Sequence, residues 1–137
     1  MKKYKVLITA RSFGTADHKA LELLEENNCE VKKLKQTDGS IAEQLKRELP
    51  EADAVIAGLE EYDRALIESA GKLKVISRYG VGYDKVDLQS ARKQQIAVTI
   101  TPGANGDSVA DLAVALMLAC ARNIPFMDQR IKSRNQT

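Results

Sequence analysis

Short apolar runs and helical stretches alternate strictly along this 137-residue chain, and that alternation limits its fold more than any single motif does. Val6-Leu7-Ile8 is short, continuous and apolar, the pattern of a strand buried on both faces. Residues 17–28 predict a helix with Ala20, Leu21 and Leu24 on one face, and 29–34 a second strand. Ser40 with Glu43 three residues on predicts a capping box for a helix that Pro50 helps to close. Residues 53–57 form the third strand. Asp63 caps a helix over 64–70 that stops at Gly71, and 73–77 is the fourth strand. Asp87 opens a helix through Gln94, 96–100 is the fifth strand, and Asp107 or Ser108 starts a long helix to about Arg122. Five such β-α units predict an α/β fold, a doubly wound parallel five-stranded sheet. A chain 44% hydrophobic and of this length suits one domain with a real core.

Doubly wound sheets bind ligands outside the carboxyl ends of their strands, where strand order reverses. Gly80-Val81-Gly82 follows the fourth strand directly, and two glycines there let the backbone curl so that its N–H groups face one anion. That reads as a cradle for a carboxylate or phosphate. A dinucleotide fingerprint, G-x-G-x-x-G, would need glycine where Lys85 stands, so the turn is no complete nucleotide-binding loop. The plainer reading, a tight strand-to-helix turn without a ligand, fits the same spacing. Residues 102–106 form a second polar turn expected to face the same cleft.

A net charge of +2, no Trp, two Phe and four scattered Tyr leave no basic footprint or stacking platform, so nucleic acid is not an expected partner. Lys32, Lys33 and Lys35 read as a solvated edge. Cys29 and Cys120 lack C-x-x-C spacing, which excludes a redox pair or zinc site between them. Both read as buried thiols in a reducing compartment. The apolar run before Arg11 is too short for a signal peptide, and the longest uncharged run, 112–121, is about half a membrane span. A cytoplasmic protein without a membrane segment is expected. The 107–122 helix is apolar nearly all round, which calls either for burial in this domain's own core or for a covering neighbour domain or subunit.

Four blocks, in order, carry a family resemblance: 75–87 (VISRYGVGYDKVD), 98–105 (VTITPGAN), 108–111 (SVAD) and 121–125 (ARNIP). Together, across about 53–125, they resemble the N-terminal substrate-binding domain of the D-isomer-specific 2-hydroxyacid dehydrogenases, most closely the phosphoglycerate dehydrogenase branch. The resemblance implies a flavodoxin-like substrate-binding domain over 1–125, connecting helix 107–122 included. It also implies a tail, 126–137, leading to a Rossmann domain absent from this chain, which would bind NAD and carry the catalytic Arg, Glu and His. No catalytic residue is therefore expected here, and this chain alone should neither hold NAD tightly nor turn over. His18, the only histidine, matches no family motif and reads as an exposed or capping-turn residue.

The resemblance places the substrate carboxylate on the amides of Gly80, Val81 and Gly82, with Arg78 beside them and Asn105 across the cleft. It puts Val81 and Gly106 near the nicotinamide. Arg78 also reads as a structural salt-bridge partner, and Asn105 as the end of the 102–104 turn. The implied ligand is a small 2-hydroxy or 2-oxo acid, oxidised by hydride transfer in the whole enzyme, and the implied assembly a homodimer through the 107–122 region. One departure bears on substrate: phosphoglycerate-specific members carry Arg-Ser after the third strand, whereas this chain has Glu60-Glu61, which would repel a phosphate. The other class considered is a stand-alone flavodoxin-like binding or signalling module. A phosphoacceptor domain needs paired carboxylates at the end of the first strand, where this chain reads Thr9-Ala10-Arg11.

Overall fold

The computed structural model describes residues 3–134. Strands β1 (Tyr4–Ile8), β2 (Cys29–Lys33), β3 (Ala54–Ala57), β4 (Val75–Arg78) and β5 (Ala97–Thr99) form one sheet in the order β2-β1-β3-β4-β5. Every neighbouring pair is parallel, so the sheet has the flavodoxin-like strand order that the alternation and the resemblance together imply. Helices α1 (Lys19–Glu26), α2 (Ile41–Glu48), α3 (Arg64–Ser69) and α4 (Leu88–Lys93) are the crossovers. The chain divides into two compact units, one running to Pro102 and one from Gly103 onward; the second holds α5 (Gly106–Ala121) and α6 (Ile124–Arg134).

The core of the first unit lies mainly on one face of the sheet. Leu7, Val55 and Ile76 are fully buried, in one cluster with Leu45 of α2, Leu66 and Ile67 of α3 and Ala91 of α4. Connection handedness explains the asymmetry. The steps from β2 to β5 all run the same way across the sheet and put their helices on one face, whereas the step from β1 to β2 runs back and puts α1 on the other. No residue of α1 is buried, and Leu24 borders an apolar cavity of about 390 Å³ with Val6, Ala54, Ile56 and Val75.

Of the four helix starts predicted at Ser40, Asp63, Asp87 and Asp107 or Ser108, two form as side-chain caps, and Asp107 and Ser108 lie inside α5, which begins at Gly106. The Asp63 carboxylate accepts from the Leu66 amide at 2.8 Å and Asp87 from the Ser90 amide at 3.0 Å. Ser40 is the residue before α2, but its side chain makes no cap bond and the expected box with Glu43 is absent. Gln44 instead ties the helix to the loop before it, its buried side-chain amide donating to the carbonyls of Lys35 and Gly39 at 2.8 and 3.0 Å. His18 precedes α1, exposed and without a side-chain cap bond.

Other expectations change. Residues 126–134 continue α6, with Pro125 in its first turn, the Arg130 guanidinium 5.6 Å from the Phe126 ring centroid and Lys132 paired with Asp128 at 2.7 Å; residues 135–137 of the expected tail lie outside the described ones. The thiols are not both buried: Cys29 is half-buried at the open sheet face, and Cys120 is exposed because α5 buries no residue. Val109, Leu112, Leu116 and Leu118 are all more than half exposed. No single described helix is long and apolar enough to cross a membrane; α5 and α6 meet that test only together and are bent by 63° at their junction.

Candidate functional site at the strand switch point

Strand order reverses between β1 and β3, and the loops leaving these two strands line a cavity of about 420 Å³. Thr9 to Ser12 supply one wall and Gly58 to Glu60 the other, with Tyr79 beyond β4 completing it. The Gly58 amide donates to Thr9 Oγ1 at 2.8 Å, locking the two loops together. Tyr62 lies fully buried beneath, its hydroxyl 3.4 Å from Thr9 Oγ1, and burial pushes its phenol well above the ordinary tyrosine range. At the rim, the Phe13 and Tyr79 rings meet edge to face at 5.7 Å.

Arg78 ends β4, and its guanidinium is committed to backbone rather than to a carboxylate. Nε donates to the Gly82 carbonyl at 2.8 Å, and Nη1 donates to the carbonyls of Ala57, at 2.8 Å, and Gly58. The salt-bridge reading of Arg78 therefore fails: among the described residues no carboxylate lies within ion-pair distance of it, while three carbonyls accept from it. What replaces it is a brace that joins the ends of β3 and β4 to the glycine turn and places a buried positive charge behind that turn. Nη2 takes part in none of these bonds, and a Cβ on Gly80 would come within 3.8 Å of it.

Only one of the two turn glycines uses glycine's conformational freedom. Gly80 has φ +151°, whereas Gly82 lies outside the left-handed region. Both turn carbonyls on either side of Val81 are engaged, Gly80 by the Thr101 amide at 2.9 Å and Gly82 by Arg78. Among the described residues, the amides of Gly80, Val81 and Gly82 donate to no protein acceptor. Val81 is half exposed. A turn with its carbonyls tied and its amides free is equipped to receive an anion.

The sequence expectation treated Glu60 and Glu61 alike, but the fold separates them. Glu60 lines this cavity and Glu61 does not, although both border a second, smaller one of about 200 Å³ beside Leu45 and Leu66. Glu60 Oε2 is buried and has no hydrogen-bond partner among the described residues. Room for it exists because residue 58 is glycine: a Cβ there would stand 2.8 Å from Glu60 Oε2 and 2.9 Å from the Thr9 carbonyl oxygen. Sequence reasoning passed over Thr9, Gly58 and Tyr62. The one local signal was a hydroxyl residue closing a buried apolar strand.

Asn105 and Gly106 belong to the second unit, Asn105 as the residue before α5 and Gly106 as its first residue, both exposed. The Asn105 side chain makes no cap bond. Among the described residues, no group of three His, Cys, Asp or Glu side chains could hold a metal ion.

An open parallel α/β sheet with a crevice at its switch point defines a ligand-binding domain of the flavodoxin-like class. Residues 6–131 match the family described as D-isomer specific 2-hydroxyacid dehydrogenase, catalytic domain, and the chain belongs to that family. It is 44% identical over 90 residues to a glyoxylate reductase of Thermococcus litoralis, covering 65% of this chain and 27% of that one. It is 38% identical over 114 residues to a D-3-phosphoglycerate dehydrogenase of Archaeoglobus fulgidus, covering 82% and 21%. The crystal structure of NAD+-bound 3-phosphoglycerate dehydrogenase from Entamoeba histolytica superposes with a TM-score of 0.73 at 27% identity, over 86% of this chain and 39% of that one. The chain thus spans between about a fifth and two fifths of the length of these relatives.

Proposed function

We propose that this domain binds the substrate of an NAD-dependent D-2-hydroxyacid dehydrogenase, holding a small 2-hydroxy or 2-oxo acid while a nucleotide-binding domain supplies the redox chemistry. The observation that supports this reading is the turn at 80–82, whose three amides meet no acceptor among the described residues and are backed by the Arg78 guanidinium. A 2-oxo carboxylate needs fixed donors to orient its carbonyl, and backbone amides do this without an ordering cost at the moment of binding. Asn105 is the further position we assign to substrate contact.

The residues present do not fit a whole dinucleotide, since none of the eight glycines builds a G-x-G-x-x-G turn. Val81 and Gly106 are the positions that would approach its nicotinamide end. NAD held by the other domain would supply the hydride acceptor; this chain's part is to bind and orient the acid. The domain spans residues 1–125 with its connecting helix, 126–137 leads toward the nucleotide-binding domain, and a homodimer forms through the 107–122 region, whose apolar residues stand exposed. The working compartment is the cytoplasm. A stand-alone signalling module is not favoured.

The test is a titration of the ¹⁵N-labelled chain with glyoxylate, followed by amide shifts. Shifts centred on Gly80, Val81 and Gly82 are expected; shifts centred elsewhere, or none at millimolar ligand, would overturn the reading. Adding a family nucleotide-binding domain in trans should then restore NAD-dependent turnover.

A further inference from the structure

We propose that Asn105-Gly106 is a self-modifying site, where the chain converts its own asparagine to aspartate and isoaspartate and so weakens the substrate contact assigned to that position. The chemical step stands on this chain alone; its consequence rests on the function proposed above. The asparagines stand at 27, 28, 105, 123 and 135, and only Asn105 is followed by glycine. In the step, the Gly106 amide nitrogen attacks Asn105 Cγ, the C–N bond of the carboxamide breaks, and ammonia leaves with the amide proton. Water then opens the resulting succinimide ring at either carbonyl, its hydroxyl going to the carbon and its proton to the nitrogen. One opening gives aspartate, and the other gives isoaspartate, whose backbone runs through the former side chain.

Ring closure needs an accessible Cγ, an amide nitrogen without other commitments and a backbone free to turn. Asn105 is exposed, and its side chain makes no cap bond. The Gly106 amide stands outside the helical ladder of α5, which opens with the Val109 amide donating to the Asn105 carbonyl at 3.0 Å. Its own bond, to the Gly103 carbonyl, is long at 3.3 Å. Residues 101–110 are all exposed, and a Cβ on Gly106 would meet nothing within 4 Å, so no packing opposes the rearrangement. The other described asparagines lack this combination. The Asn27 side chain donates to the Leu23 carbonyl at 2.7 Å, Asn28 precedes the sheet-paired Cys29, and Asn123 precedes Ile124, whose branched side chain crowds the attacking nitrogen. The consequence follows from hydrogen-bonding capacity: a carboxamide donates and accepts, whereas a carboxylate only accepts. At a position that contacts an anionic acid, conversion removes a donor and adds a like charge.

The native chain, aged for weeks in warm neutral buffer and then digested, tests the step by peptide mass. The peptide holding Asn105 should gain about one dalton as NH2 is exchanged for OH, with isoaspartate beside aspartate in the product. Peptides holding Asn27, Asn28 and Asn123 should stay unchanged. Asp38-Gly39 can form the same ring, but by losing and regaining water it changes no mass. Gly106→Ala, whose methyl has open space, should lose the gain. Glyoxylate titrations of fresh Asn105→Asp and Asn105→Ala chains test the consequence: Asn105→Asp should bind about fivefold or more weakly than the native chain, and more weakly than Asn105→Ala. No mass gain at Asn105, or an equal gain at Asn123, would overturn the self-modifying site and leave the substrate reading standing. A gain at Asn105, with Asn105→Asp binding glyoxylate as tightly as the native chain, would keep the modification and overturn the contact assigned to Asn105.

Discussion

Arg78 donates from Nε to the carbonyl of Gly82, four residues on, at 2.8 Å, so the last glycine of the turn is tied back to the strand that launches it. The same guanidinium holds the carbonyls of Ala57 and Gly58 at the end of the neighbouring strand. Replacing Arg78 by Ala leaves buried carbonyls without their donor and should cost about 3 kcal/mol of stability. Lysine should recover only part of this, because an ammonium cannot reproduce the planar fork. Urea unfolding of both variants measures the loss, and glyoxylate shifts at 80–82 should weaken in both.

Gly80 and Gly82 should tolerate alanine differently. At Gly80, φ is +151°, and a side chain there should cost about 1–3 kcal/mol in backbone strain although the space is open. At Gly82 a Cβ would meet only the Asp84 carboxylate, at 3.0 Å, which can swing away. Thermal unfolding should therefore show Gly80→Ala clearly lowered and Gly82→Ala close to native.

Thr9 holds the β1 and β3 loops together by accepting from the Gly58 amide. Thr9→Val should destabilise by about 1–2 kcal/mol, since the half-buried Gly58 amide loses its acceptor, and Thr9→Ser should restore most of it. Tyr62→Phe should matter less, because its 3.4 Å contact with Thr9 is at the long limit for a hydroxyl pair. Denaturant midpoints of the three variants order the effects.

Glu48 gathers the starts and edges of the sheet. Its carboxylate accepts from Lys32 of β2 at 2.9 Å and Lys5 of β1 at 3.0 Å, and Lys32 and then Lys5 hold its pKa down from 4.5 to about 2. A folded-state pKa below the unfolded one stabilises above pH 4.5 and is lost as pH falls toward 2. Stability curves from pH 7 to pH 2 should thus be flatter for Glu48→Gln than for the native chain within that window; parallel curves would show that the pairings contribute nothing.

How far the chain could be read depended on the range of the interaction. The strands at 6–8 and 53–57 and the caps at Asp63 and Asp87 were legible because an apolar run or a side chain reaching three residues along is written within one segment. Ser40 carried the same local signal but makes no side-chain cap bond, and the start of α2 is tied instead to the preceding loop by Gln44, whose side-chain amide donates to the carbonyls of Lys35 and Gly39. The glycine turn was visible as a motif, but nothing local distinguished Gly80, with its left-handed φ, from Gly82.

By itself the order of residues determined the alternation of strands and helices, the turn after β4 and the family, since each is encoded in contiguous segments. Only the tertiary structure decided that Arg78 braces carbonyls instead of pairing with a carboxylate, that the core fills mainly one face, and that Glu60 lies in the cavity while Glu61 does not. Those outcomes depend on which strand lies beside which, and on a glycine 49 positions from Thr9 bringing its backbone within reach of that side chain. Contacts of that range exist only once the sheet has formed.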